Sequence, residues 1–149
     1  MQGGVRMIRL SGLRNRPVVC GNRQIGFLQN ITLDLAQKRV QALIVSRGIR
    51  GKCVVYPEKI LSVSESFILA QNVGRYERSL EQMPCRFAMD TAGRLVGCIT
   101  DYAICSETMD IAAVEIMTGY LKREERRCRI WVYDFQRSNC MVRGLTVSI

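Results

Sequence analysis

Seven cysteines, four lysines and no histidine bound the chemistry open to this chain of 149 residues. The cysteines stand at 20, 53, 85, 98, 105, 128 and 140, an odd number with no Cys-x-x-Cys pair. Zinc ligands come as closely spaced pairs, and disulfide frameworks go with secretion signals. Neither is visible, so the thiols read as reduced, small apolar filler. A serine or cysteine nucleophile needs a positioned base, most often histidine. Lysine could replace it, but Lys38, Lys52, Lys59 and Lys122 all fall in expected loops or turns. The run Gly48-Ile49-Arg50-Gly51-Lys52 only superficially resembles a phosphate loop. It joins two expected strands and offers no helix N-terminus to an anion. Asp101, Glu107 and Asp110 read as exposed charges around a hairpin. Glu115 is different, because it lies mid-strand where the equivalent position holds Ile44. That face is expected to be open to water or to a partner. The expectation is a chain with no catalytic, cofactor or metal site.

Basic residues are the remaining candidates. The net charge of +9 is uneven. Residues 1–74 carry 11 basic against 3 acidic side chains, and residues 75–149 carry 11 against 10. Arg14, Arg16, Arg23, Lys38, Arg39, Arg47, Arg50 and Lys52 map to strand ends and turns of the first half. They form the candidate surface for an anionic partner. RNA would use them as phosphate contacts and would add stacking aromatics. Phe27 falls on the expected core face, leaving Tyr56 as the nearby aromatic. A protein-docking or solvated face is therefore the first reading and RNA the second.

The elements that carry these residues repeat. Arg23-Gln24-Ile25-Gly26-Phe27-Leu28 is echoed by Arg94-Leu95-Val96-Gly97-Cys98-Ile99, and the register continues without a gap through Gly48 and Gly119. Such repeats govern architecture. Each unit reads as short strands. Pro17 to Cys20 leads through the Gly21-Asn22 turn into a long strand, Gln24 to Leu35. Strict alternation puts Ile25, Phe27, Gln29, Ile31, Leu33 and Leu35 on one face, with Gln29 and Thr100 as matching polar interruptions. A third strand follows at Val40 to Ser46 or Ile111 to Met117. The copies then diverge. The first continues through strands at 53–56, 61–63 and 67–70, with a turn over 57–60. The second is expected to have a charged loop over 122–127, a strand over 129–135 and a turn at 137–139. Gly26 and Gly97 sit inside the long strands, where a bulge or sharp bend would explain them. The expected domains are 7–74 and 84–149, joined by a linker over 75–83 with at most a short helix.

Leu10 to Ala70 resembles the PRC-barrel family. The resemblance rests on Gly21-Asn22-Arg23-Gln24-Ile25-Gly26, Asn30, Asp34 and Ala42-Leu43-Ile44-Val45. The family pattern carries acids four residues apart. Asn30 replaces the first and Asp34 keeps the second, while in the second copy Asp101 keeps the first and Cys105 replaces the second. The opening Ile8-Arg9-Leu10-Ser11-Gly12-Leu13 is similar to short PRC-barrel proteins of spore-forming bacteria. The resemblance implies an all-β protein of two small β-barrels in tandem and a binding or docking role. It implies a protein partner connected with sporulation, or alternatively RNA or the ribosome. Homo-oligomerisation is compatible with it. No apolar run exceeds four residues and no signal peptide is visible, so a cytoplasmic protein without membrane insertion is expected. Residues 1–6 are expected to lie outside the fold, with Met7 as an alternative start.

Overall fold

The computed structural model describes residues 7–35, 37–81, 87–89, 94–119, 122–128, 141–142 and 145–147. The fold is all-β. The first half supplies β1 (Met7–Arg9), the one-turn helix α1 (Leu10–Leu13), β2 (Pro17–Cys20), β3 (Arg23–Asp34), β4 (Arg39–Ser46), β5 (Lys52–Val55), β6 (Ile60–Val63), β7 (Ile68–Ala70) and β8 (Gly74–Arg75). The second supplies β9 (Phe87–Met89), β10 (Leu95–Cys105), β11 (Ile111–Gly119), β12 (Lys122–Cys128), β13 (Met141–Val142) and β14 (Leu145–Val147). They form two seven-stranded sheets. One is a curled half-barrel in the order β6-β7-β2-β3-β4-β5-β8. The other runs β13-β9-β10-β11-β12-β14, with β1 added on β10.

The repeat extends further in topology than in sequence. The β2–β7 and β9–β13 pairs are both parallel, and β5–β8 corresponds to β12–β14. The expected charged loop over 122–127 is therefore a correction: it is strand β12, antiparallel to β11. Its sequence, Lys-Arg-Glu-Glu-Arg-Arg, has no apolar alternation to betray a strand. The expected strand over 129–135, the turn at 137–139 and residues 1–6 lie outside the described residues.

Three ladder irregularities recur at matching positions. The pairing skips Ile25 in β3 and Val96 in β10, then Gln29 and Thr100. It also skips Gln41 in β4 and Ala112 in β11. The two polar interruptions of the sequence are thus bulge residues. Each bulge turns the following side chains to the opposite face. Leu28 and Thr32 are buried, while Phe27 points outward at 49% exposure, correcting its expected place in the core. Cys98, its counterpart, is exposed as well.

Gly26 and Gly97 mark a close approach of backbones. A Cβ on Gly26 would lie 2.1 Å from the Ser46 carbonyl oxygen, and one on Gly97 would lie 2.5 Å from that of Met117. Ser46 and Met117 are themselves repeat partners.

The halves are joined about an internal two-fold. Arg39 and Asp110, which occupy the same repeat position, form an antiparallel bridge. The Val40 N–H donates to the Met109 carbonyl at 2.9 Å, and the Ile111 N–H donates to the Lys38 carbonyl at 2.8 Å. Lys38 and Met109 both adopt left-handed backbone, with φ of 59° and 62°. A non-glycine residue there costs on the order of 1 kcal/mol. Burial offsets it, since Val40, Met109 and Ile111 belong to one apolar core with Leu28, Leu43, Ile104 and Ile116. A smaller cluster of Ala42, Ile44 and Val54 lies under Tyr56, Tyr76 and Leu80.

Two outcomes are expected. Gly26→Ala should lose about 3 kcal/mol in urea unfolding, as overpacking against fixed backbone does. Gly12→Ala, with nothing within 4 Å of its Cβ, should be near neutral in the same assay. Separately, co-expressed fragments 1–81 and 82–149 should co-purify as one complex through the shared core. Independent migration in gel filtration would contradict that core.

Candidate functional site

The bulge at Gln29 and the close approach at Gly26 shape an open groove of about 690 Å³. Its wall is the β3 segment from Gln24 to Gln29, its ends are Asn15 and the Ser46–Gly48 turn, and Arg47 lines it. Asn15 has left-handed backbone, φ 66°, and its N–H donates to the Leu28 carbonyl at 2.8 Å. The Leu28 N–H in turn donates to the Arg16 carbonyl at 2.9 Å, which seats this corner on β3. Beyond the groove, the loop through Gly48–Arg50 is a single 3-10 turn, closed by Arg47 N–H to the Gly51 carbonyl at 2.8 Å. Ile49 at its tip is wholly exposed.

The eight basic candidates separate into three groups. Arg14, Arg23, Arg47 and Arg50 are exposed, and among the described residues none forms an ion pair. Arg47 lines the groove, and Arg14 and Arg23 adjoin its lining residues Asn15 and Gln24. Lys38 and Arg39 belong to the junction between halves. Arg16 and Lys52 are spent on the fold. The Arg16 guanidinium donates to the carbonyls of Ser64 and of Gly12, the latter at 3.1 Å. Lys52 Nζ lies 3.4 Å from Glu81 and 5.1 Å from the centre of the Tyr76 ring.

Glu81 is the hub of a clasp that sequence reasoning missed. Its carboxylate accepts from Asn30 Nδ2 at 3.1 Å, from the Tyr76 hydroxyl and from Lys52. The hydrogen bond from Tyr76, then that from Asn30, holds the Glu81 carboxyl below its usual range. The same bond holds the Tyr76 phenol above its usual range. The described part of the segment expected as linker thus straps the first sheet, and its helical element is one 3-10 turn (Arg78–Leu80). An equivalent clasp covers the second sheet. Asp101, the repeat partner of Asn30, accepts from the Ser11 N–H at 3.3 Å and from its hydroxyl. Asn30 and Asp101 each also accept the next backbone N–H, from Ile31 at 2.9 Å and Tyr102 at 2.8 Å. Glu115, expected to face water or a partner, is 11% exposed. It pairs with Arg9 at 3.1 Å and accepts from Thr100 at 2.9 Å. The physical reason is the return of β1 onto β10, which covers that face from the opposite half.

Cys53 and Cys105 are buried, and Cys20 is half-buried. Burial pushes the Cys53 thiol up, while a hydrogen bond with Thr108 draws Cys105 down. Cys85 and Cys140 lie outside the described residues. Among the described residues no cluster of three or more potential ligands could hold a metal, and no helix is long and apolar enough to cross a membrane. No family model matches the chain, and no curated protein matches it.

The clasp has a pH signature. A lowered carboxyl stabilises the fold fully above the unfolded value near 4.5 and loses that contribution as pH falls through the folded value. Glu81→Gln should lower the urea midpoint at neutral pH. It should also flatten the acid limb of a stability-against-pH series relative to wild type. Parallel acid limbs would show that Glu81 does not carry the clasp.

Proposed function

We propose that this chain is a non-enzymatic docking module, an adaptor of PRC-barrel type for a bacterial protein assembly connected with sporulation. In this reading it acts in the cytoplasm, and each half is a small barrel-like unit. The Gly21-Asn22-Arg23-Gln24-Ile25-Gly26 motif and its repeat support the family reading. The observation that carries the docking role is the open groove with outward-facing Phe27 beside Arg47. Aromatic and arginine side chains are the commonest anchors of protein interfaces. The first half supplies both, together with most of the net positive charge.

An RNA-associated role is the second reading, favoured by the same pairing of an exposed aromatic with unpaired arginines. Stacking platforms place successive bases on several aromatics. Tyr56, the other aromatic considered, is half-buried against Ala42, Ile44 and Val54. Among the described residues the groove offers one ring, which supports protein as the first reading.

The two readings part in a pull-down from native lysate with and without nuclease. Docking predicts a protein partner retained after nuclease and lost from the Arg47→Glu, Arg50→Glu variant. Recovery of ribosomal RNA that the same charge reversal abolishes would replace docking by the RNA reading.

A further inference from the structure

We infer that the groove takes an acidic polypeptide segment carrying a large apolar side chain, and that each chain binds one such segment. This rests on the docking reading above and specifies its ligand. Three observations lead to it.

The first is charge. Among the described residues no carboxylate lines the groove, while Arg47 does, and Arg50 lies one turn away on the same loop. Neither arginine is paired among the described residues. An arginine left without a carboxylate at a concave, partly apolar surface is complementary to Asp or Glu on a partner.

The second is apolar surface. Phe27 is 49% exposed and Ile49 is fully exposed. An aliphatic side chain at the loop tip offers nothing to a nucleobase stack, but it packs well against Leu, Phe or Met. The expected ligand thus pairs an apolar anchor against Phe27 and Ile49 with carboxylates facing the arginines.

The third is the internal two-fold, which sets stoichiometry. The matching location in the second half carries Leu95, Cys98 and Met117 where the first has Gln24, Phe27 and Ser46. Thr118 stands where the first half has Arg47. At these four positions the second half carries neither arginine nor an aromatic ring, so among the described residues the pairing of Phe27 with Arg47 is not repeated.

A random-peptide display selection against the full wild-type chain tests this. The selected peptides are then measured by fluorescence anisotropy and calorimetry, beside a pool of single-stranded RNA oligonucleotides. Enriched peptides should carry Asp or Glu next to Phe, Leu or Met, and should bind with one site per chain. Arg47→Glu, Arg50→Glu and, separately, Phe27→Ser should each weaken them about tenfold or more, while Lys59→Glu on a remote exposed turn stays within about twofold. Circular dichroism checks that each variant is folded. Enrichment of basic or uncharged peptides, absence of enrichment, two sites per chain, or indifference to both variants overturns the inference. Tighter Arg47-dependent binding of the RNA pool overturns it in favour of RNA. If it fails while a lysate protein is still retained in an Arg47-dependent way, the ligand chemistry is wrong and docking stands. If both fail, docking falls too.

Discussion

The antiparallel bridge at Arg39 and Asp110 is the constraint on which the rest of the structure depends. Two hydrogen bonds related by the repeat, Val40 to Met109 and Ile111 to Lys38, bring the hairpins of both halves together, and Val40, Met109 and Ile111 are buried around them. Each half alone would be close to the lower size limit for an independent core. Sharing one core removes that limit. It also explains the left-handed backbone at Lys38 and Met109, residues that would not choose that conformation in an isolated turn.

The crossed clasps follow from the same symmetry. Residues 9–11 and 76–81 reach over opposite sheets. Asn30 and Asp101 receive them in the same way, each also capping the next backbone amide. Positions 30 and 101 are therefore each an anchor for a strap. The chemistry differs between the copies: a carboxylate with tyrosine and lysine on one side, a serine and an Arg9–Glu115 pair on the other. Partly exposed pairs of this kind contribute roughly 1 kcal/mol or less. They position the straps more than they stabilise the fold.

Shared scaffold and outward-facing chemistry are separate in the two copies. Gly26 and Gly97 allow the same backbone approach in both halves, and the same three bulges bend both sheets. The copies differ in what the bent strand presents outward. Phe27 and Arg47 line an open groove in the first half, where the second half has Cys98 and Thr118. A duplicated scaffold can hold one half for packing while the other diverges for recognition.

Much of this was legible in the sequence because it is local. Turn residues at Gly21-Asn22, apolar runs such as Ala42 to Val45 and the gapless repeat identified the strands and the two-copy plan. Strand β12 escaped, since its backbone pairing is supplied by β11 and its sequence shows no alternation. Phe27 was assigned to the wrong face because period-two reasoning assumes an unbroken ladder, and a bulge changes the phase of everything after it. The clasps were illegible because they join residues up to 90 positions apart by a few side-chain hydrogen bonds. Local pattern was enough for most strands of the first half, for the two glycines that interrupt the long strands and for where positive charge accumulates. Tertiary structure alone decided which arginines are spent on the fold and which stay unpaired, because that depends on where distant carbonyls and carboxylates come to rest.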